Sequence, residues 1–173
     1  LKIRMSPHLG LLTVANIIRH ECEVTIENEN IREIDFNDVP DLVGIAVTVD
    51  VLPRAIEIAA LYRKKGAKVI AGGIHITTAF DTVPKEAFDS LCIGFAENTW
   101  PQIIEDAKHG RLQSQYVSAP LESGDDIASP AYDLIDKTDY LWYNVVSTSR
   151  SCPHKCDFCY NSSGTHQYIN RNI

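Results

Sequence analysis

The sequence has no apolar run close to the roughly 20 residues that a membrane-spanning helix needs. Residues 1–5 are followed by no long apolar segment of the kind that forms a signal peptide. Basic residues are also scarce, since 16 Lys and Arg stand against 23 Asp and Glu, and the formal net charge is -7. Nucleic-acid binders carry a basic surface. We therefore expect a cytoplasmic protein with neither a membrane span nor a nucleic-acid partner.

The chain also lacks the residue patterns of several common enzyme classes. No phosphate-binding glycine loop, Ser/His/Asp arrangement or hydrolase-like pair of carboxylates stands out. Its five cysteines, without a secretory signal, do not favour a disulfide framework. Cys22 and Cys92 lie in predicted strands, where we expect small buried side chains. With 173 residues and 45% hydrophobic residues, the chain is long enough for one good core.

Short strand and helix patterns alternate along most of the chain. Apolar and β-branched runs predict five strands, and helical periodicity with glycine or lysine at the ends predicts three main helices. The alternation predicts an α/β fold with a five-stranded parallel, Rossmann-like (flavodoxin-like) sheet. The predicted strands are 1–5, 22–27, 42–49, 67–71 and 89–93, the predicted helices are 9–20, 53–65 and 98–109, and 113–118 is a possible extra strand.

The pattern changes after Gly110, and this change suggests the domain organisation. Residues 1–118 are predicted to form the α/β domain, residues 119–143 a linker, and residues 144–173 the start of a second domain. Within the last part, residues 144–148 predict a new strand. A lone strand needs partners, so we expect this chain to be the front part of a longer protein.

Three cysteines follow that last predicted strand, in the spacing Cys-x3-Cys-x2-Cys. Three thiolates from one short loop can bind one metal centre, and a cluster with three protein ligands keeps one iron open to a substrate or cofactor. A zinc site with His154 or His166 as fourth ligand is the alternative, although structural zinc favours paired Cys-x2-Cys units. The spacing favours an iron-sulfur site on these cysteines, which are Cys152, Cys156 and Cys159.

This motif resembles that of the radical S-adenosylmethionine (radical SAM) superfamily, where Cys-x3-Cys-x-aromatic-Cys follows a strand of a (βα) barrel. The resemblance implies a 4Fe-4S cluster on the three cysteines, S-adenosylmethionine on its open iron, and Phe158 beside the adenine. It also implies a 5′-deoxyadenosyl radical, formed with an electron from a donor such as a flavodoxin or ferredoxin. The chain departs from the family at Ser151, where a glycine is common.

The region in front resembles the cobalamin-binding radical SAM class, which includes methyltransferases and is related to magnesium-protoporphyrin IX monomethyl ester oxidative cyclase. Open α/β sheets bind ligands at the carboxyl ends of their strands. The residues that the resemblance assigns to cobalamin are Pro7, His8, Gly10, Thr48, Gly72, Gly73, His75, Gly94 and Glu97. Known cobalt-binding histidines follow an aspartate in Asp-x-His-x-x-Gly, which His8 lacks, so a helix cap or a solvated side chain is its alternative role. For Gly72 and Gly73 the alternative is a simple turn that ends a strand.

The resemblance thus implies an iron-sulfur radical SAM enzyme, dependent on cobalamin, acting through a 5′-deoxyadenosyl radical or methylcobalamin. The implied reactions on a small-molecule substrate are methyl transfer, or an oxidoreductase reaction such as oxidative cyclisation. A second hypothesis gives the front domain no cobalamin and makes it a module for protein interaction or substrate positioning. Because the remainder of the barrel would lie beyond Ile173, we expect the fragment alone to be inactive.

Overall fold

A computed structural model of the chain describes residues 4–160 and 168–171. Four parallel strands form one sheet in the order β1-β2-β3-β4, and an α-helix lies between each successive pair of strands. The predicted α/β class with a parallel, Rossmann-like sheet is confirmed. The strands are β1 (Leu42–Ala46), β2 (Lys68–Gly72), β3 (Ser90–Ile93) and β4 (Gln115–Val117), and the helices are α1 (Leu9–Ile18), α2 (Leu52–Lys64), α3 (Ile74–Thr78) and α4 (Trp100–Lys108). Short 3-10 helices span Phe80–Thr82, Lys85–Ala87, Gly124–Asp126, Tyr132–Leu134 and Lys137–Asp139.

Strand β2 lies inside the sheet and is covered on both faces. Val69 and Ala71 belong to one hydrophobic cluster, which includes residues of α2. Ile70, between them in sequence, belongs to a second cluster, which includes residues of α1 and α4. All three side chains are fully buried. Successive residues of a strand point to opposite faces, so a continuous apolar run is what a doubly covered strand requires.

Helix α2 follows from signals that are local in the sequence. Pro53 lies in its first turn, where the missing amide hydrogen has no helical partner to lose. Ala55, Ala59 and Tyr62 recur at helical spacing and are its buried residues. Gly66 follows the helix with a φ of 96°, the left-handed conformation common after a helix end. The observed bounds agree with the predicted helix to within one residue.

Helix α4 is tied to the edge strand β4 by a polar network. The carboxylate of Asp106 accepts a hydrogen bond from Tyr116 Oη at 2.9 Å and another from Gln113 Nε2 at 3.2 Å. The tyrosine hydrogen bond is the largest of several contacts that hold the pKa of Asp106 below its usual value. These hydrogen bonds satisfy the buried carboxylate of Asp106. Because Tyr116 lies in β4, they also hold α4 against that strand.

The strand predicted over residues 22–27 is wrong. The amide of Cys22 still bonds to Ile18 O at 3.2 Å in the turn that ends α1, and the residues after it are irregular. Val24 packs against the second cluster through its side chain without joining the ladder. For the strand predicted over 1–5, residues 1–3 lie outside the described part, and Arg4 makes only an isolated bridge with Tyr140. The sheet of the described residues therefore has four strands, and its edge strand β4 lies in the possible extra strand at 113–118.

The strand predicted over residues 144–148 is also wrong. A two-residue strand, β5 (Ser149–Arg150), begins after it and pairs antiparallel with β6 (Ile169–Asn170). One tyrosine hydroxyl occupies a backbone acceptor of this segment: Tyr132 Oη donates to Val145 O. Tyr143 Oη in turn donates to Tyr132 O at 2.7 Å. At Val145 a side-chain donor therefore takes the place of a ladder hydrogen bond.

Residues 119–143 pack against the outer side of α1. The amide of Ala131 donates to Leu12 O at 3.0 Å. Arg19 makes a two-pronged ion pair with Asp133, at 2.9 and 2.6 Å. The segment is therefore held on the α/β region by specific contacts. In residues 4–160 and 168–171, no helix is both long enough and apolar enough to cross a membrane.

Candidate functional site at the carboxyl end of the sheet

The backbone segments at the ends of β1 and β2 approach each other closely. Val47 N donates to Gly72 O at 2.7 Å, and Val47 O accepts from His75 N at 3.2 Å. Gly73 has φ 102° and ψ -173°, a region that essentially only glycine occupies. A Cβ at this position would lie 3.0 Å from both Val47 N and Val47 O. This close approach explains why glycine is needed at position 73. It agrees with the alternative role of Gly73 in the sequence analysis, a turn that ends a strand.

The loops after β1 and β3 bring further predicted residues to this edge. Thr77 Oγ1 accepts a hydrogen bond from Gly94 N at 2.9 Å and so joins α3 to the end of β3. Thr48 Oγ1 donates to Asp50 Oδ1 at 2.5 Å, and this bond is the main reason why the pKa of Asp50 lies below its usual value. His75 Nε2 lies 3.5 Å from Thr82 Oγ1. The parallel topology thus places the predicted residues of three strand ends along one edge.

His8 is the N-terminal cap of α1. Its Nδ1 accepts a hydrogen bond from Leu11 N at 3.3 Å. A Cβ on Gly10 would lie 3.3 Å from His8 Cε1, so the glycine leaves room for the imidazole, and the preceding Pro7 is buried. His8 is exposed at the surface, but desolvation by the surrounding protein lowers its pKa; a backbone hydrogen bond opposes this effect, and the charge of Arg150 adds to it.

The cap determines which nitrogen of His8 is available. In the neutral imidazole, one nitrogen carries the proton and the other accepts. Because Nδ1 accepts a hydrogen bond from the backbone, the proton of the neutral ring resides on Nε2. To bind a metal, Nε2 would have to be without that proton. Metal-binding histidines usually have the opposite arrangement, with the non-ligating nitrogen donating to a second group. The contacts of His8 therefore favour the helix cap, the alternative given by the sequence.

A buried ion pair lies at the same end of the sheet. Arg150 Nη2 lies 3.0 Å from Glu97 Oε1, with only 7% of the Glu97 side chain and 24% of the Arg150 side chain exposed. Glu97 follows β3, and Arg150 ends β5, 53 residues later. The sequence prediction included Glu97 but missed Arg150 and Thr77. No local periodicity relates residues so far apart, so only the tertiary structure identifies this pair.

The cysteine segment begins directly after Arg150 with a sharp change of direction. Ser151 has a φ of 61°, the one positive φ of a non-glycine residue in the described part of the chain. Cys159 N then donates to Cys156 O at 3.0 Å in a turn. Cys156 is exposed and the side chain of Phe158 is 93% exposed. The segment is thus a surface loop that presents its aromatic side chain to solvent.

Replacing Ser151 by glycine is expected to stabilise the protein by about 0.5–1 kcal/mol. Left-handed backbone costs an L-residue about 1–2 kcal/mol, part of which glycine loses again through the greater entropy of its unfolded chain. Urea titration should show a higher midpoint with an unchanged slope. Ser123→Gly is the matched control, because Ser123 has a φ of -141° and caps a 3-10 helix with its side chain. The control should lower the midpoint; a fall for both variants would contradict strain at Ser151.

The three cysteines match an iron-sulfur or zinc centre in donor chemistry. All five cysteines of the chain are thiols. Across residues 4–160 and 168–171, however, no three His, Cys, Asp or Glu side chains are gathered closely enough to hold a metal. Metal binding can be coupled to local folding. The loop with three thiols is therefore a suitable donor set, whose sulfur atoms a metal would have to draw together. Of the alternative zinc ligands, His154 is exposed and His166 lies outside the described residues.

Two surface cavities of the described residues lie away from this edge. One is between α1 and α4 and is lined by residues such as Ile17 and Ile104. The other lies between residues 25–35 and residues 134–140. Neither cavity is lined by a residue that the sequence assigned to a cofactor. The edge itself is an open surface, at which Gly73 is exposed.

Known proteins with similar sequences carry names of one reaction class. The chain is 30% identical to bacteriochlorophyllide d C-8(2)-methyltransferase of Chlorobaculum tepidum, over 87% of this chain and 34% of that protein. It is 27% identical to an uncharacterized methyltransferase of Pyrococcus horikoshii (90% and 41%) and 27% identical to the hopanoid C-2 methylase of Rhodopseudomonas palustris (88% and 30%). The chain is similar to methyltransferases. It spans about a third of the length of these curated relatives.

Other comparisons add less. No protein-family model matches the chain. The N-terminal domain of a hypothetical protein from Thermotoga maritima aligns with 62% of this chain and 88% of its own length, at 18% identity and a TM-score of 0.43. That likeness is too weak to carry an argument. The methyltransferase relatives support an enzyme.

Proposed function

We propose that this chain is the front part of a radical SAM methyltransferase that uses a 4Fe-4S cluster and cobalamin. The observation that carries the proposal is the cysteine triad, Cys152, Cys156 and Cys159, in an exposed loop directly after β5. The similarity to methyltransferases along 87–90% of the chain supports it. In this proposal residues 1–118 are the cobalamin domain, 119–143 the linker and 144–173 the start of the catalytic barrel.

The cysteines and the aromatic residue of the loop have separate roles in this proposal. The three thiolates hold the cluster, and the fourth iron is left for S-adenosylmethionine. Phe158 offers an exposed aromatic face on which an adenine ring can stack. When bound, these cofactors supply one-electron cleavage of the S-adenosylmethionine sulfonium and transfer of a methyl group.

The carboxyl edge of the sheet is the proposed cobalamin surface. Gly73 is exposed there, so a flat ligand can approach the backbone without meeting a side chain. Thr48, His75 and Gly94 line the neighbouring strand ends. Because His8 caps α1 through Nδ1, we propose that the lower cobalt face receives no histidine from this loop. The other residues that the resemblance assigned are Pro7, Gly10, Gly72 and Glu97, and the carboxylate of Glu97 is paired with Arg150.

The proposed reaction is methyl transfer to carbon in a small molecule. The names of two relatives specify a carbon position, C-8(2) of bacteriochlorophyllide d and C-2 of a hopanoid. Those names favour methyl transfer over oxidative cyclisation for this chain. One-electron cleavage requires a reductant, and a flavodoxin or ferredoxin is the proposed donor.

Anaerobic reconstitution of the protein with iron and sulfide, with and without cobalamin, tests the proposal. A brown protein with about four irons per chain is expected, and it should retain cobalamin through gel filtration. A colourless protein that binds zinc instead would contradict the cluster. A brown protein that never retains a corrin would contradict the cobalamin part and support a front domain for interaction or substrate positioning. The contacts of Gly73 and His8 are complete within the protein and require no ligand. This second function is therefore the alternative that the experiment has to distinguish.

A further inference from the structure

The cysteine strand β5 is held by a charged contact to the loop after β3. Arg150 ends β5, two residues before Cys152, and its guanidinium lies 3.0 Å from the Glu97 carboxylate. Arg150 Nε is also buried, and among the described residues it has no hydrogen-bond partner. Glu97 is thus the anion that compensates a largely buried arginine. The ion pair Arg19–Asp133, by comparison, has a much more exposed carboxylate, with 62% of the Asp133 side chain accessible.

The partner strand β6 is held by apolar contacts at the same place. Ile169 pairs with Arg150 in the antiparallel register and is only 8% exposed. It forms a small hydrophobic cluster with Leu121 and Ile127, and Phe95 packs against that cluster. Phe95 lies two residues before Glu97. The loop after β3 therefore packs through Phe95 against the cluster that contains Ile169 of β6, and it contacts β5 through the Glu97 carboxylate.

The two kinds of contact differ in what their loss would do. Removing one partner of a buried ion pair leaves a desolvated charge, which is strongly unfavourable, whereas replacing both partners by apolar residues is often neutral. A neutral residue at position 97 would drive Arg150 towards solvent. Because Ser151 and Cys152 follow immediately, the start of the cysteine segment would move with it. His8, whose pKa the charge of Arg150 lowers, supplies no anion to this arginine.

We propose that Glu97 is a positioning residue, which holds the cysteine segment against the end of β3 through Arg150. In this role Glu97 contacts no cofactor, in contrast to the assignment that the sequence resemblance implied. The inference rests on the proposed function only for the identity of the metal that the cysteines bind. Placement of the thiols themselves is a property of the protein without metal.

Thiol labelling of the metal-free protein tests this role. The rates of maleimide modification at each cysteine are measured anaerobically under native conditions by mass spectrometry. In Glu97→Gln we expect Cys152 and Cys159, both half-buried, to react about tenfold faster than in the wild type, because the strand before them detaches more often. Cys156 is already exposed and should change less. Cys22, in the turn after α1, is the internal standard whose rate should not change, because Glu97 is not among the groups that act on its thiol.

Two further variants keep the test decisive. Asp133→Asn removes the exposed ion pair with Arg19 and should leave all five rates unchanged. Glu97→Leu combined with Arg150→Met removes both charges and should restore slow labelling of Cys152 and Cys159. Wild-type rates in Glu97→Gln would overturn the proposal. An equal acceleration at all five cysteines, or no restoration in the double variant, would also overturn it, since both indicate general destabilisation.

Failure of the positioning role can be distinguished from failure of the proposed function. Iron content after reconstitution is measured on the same wild-type and variant proteins. If the wild type takes up no iron but Glu97→Gln still exposes Cys152 and Cys159, the proposed function fails and the positioning role stands. If the wild type takes up iron and the labelling rates are equal, the positioning role fails alone.

Discussion

Replacing Cys152, Cys156 or Cys159 singly by alanine is expected to abolish assembly of a stable iron-sulfur cluster. A cluster with three protein ligands has no spare thiolate, and the described residues around the loop offer no grouped carboxylates or imidazoles as substitutes. The measurement is iron and sulfide content, together with visible absorbance, after anaerobic reconstitution and desalting. Each variant should remain colourless where the wild type is brown.

The two other cysteines provide the control for this experiment. Cys22 Sγ donates to Ile18 O at 3.5 Å in the turn after α1, and Cys92 is buried with its Sγ 3.1 Å from Thr99 Oγ1. Burial raises the pKa of both thiols, so both stay protonated at neutral pH and are poor metal ligands. Cys22→Ser should therefore bind iron like the wild type. Full iron content in any variant of the triad would contradict its role as the ligand set.

Replacing Gly73 by alanine is expected to lower the free energy of unfolding by about 3 kcal/mol. The backbone conformation of Gly73 costs a residue with a Cβ on the order of 1–3 kcal/mol. A second cost, about 1–3 kcal/mol, comes from forcing a methyl group against the backbone of Val47, 3.0 Å away. Thermal unfolding followed by circular dichroism should show a melting temperature lower by about 10 °C for a chain of this size.

Gly66→Ala is the matched control for the close approach. Gly66 also has a positive φ, 96°, but a Cβ there would meet no atom within 4 Å. Its replacement should cost about 1 kcal/mol, from backbone strain alone. The difference in the loss of unfolding free energy between the two variants reports the close contact between the ends of β1 and β2. Equal losses would show that the contact with Val47 contributes nothing and that the edge is looser than the structure indicates.

Helix α2 and strand β2 show which parts of the fold are predictable from sequence. The start of α2 at Leu52, its buried alanines and its end before Gly66 depend on residues within one or two helical turns of one another. The apolar run of β2 is likewise a local pattern. Each interaction that forms these elements lies within a short segment, so composition and periodicity contain the necessary information.

Strand pairing and side-chain partners were less predictable, for a physical reason. Residues 22–27 alternate like a strand, yet a strand forms only where a neighbour supplies hydrogen bonds, and Val24 buries its side chain without one. In residues 144–148, Val145 O accepts a hydrogen bond from the Tyr132 hydroxyl instead of from a neighbouring strand. In both segments the outcome depends on residues distant in sequence, which a local pattern does not contain.

Some features of the candidate site are likewise predictable from the sequence, and others are not. The three thiols, their spacing and the aromatic Phe158 are covalent properties of the chain, and the sequence by itself determined that this loop offers a three-ligand donor set. Only the tertiary structure decided that Glu97 faces Arg150, that His8 commits Nδ1 to the helix cap, and that Gly73 is required by Val47. These roles depend on distances between separate segments, and such distances exist only once the parallel sheet has brought its strand ends together.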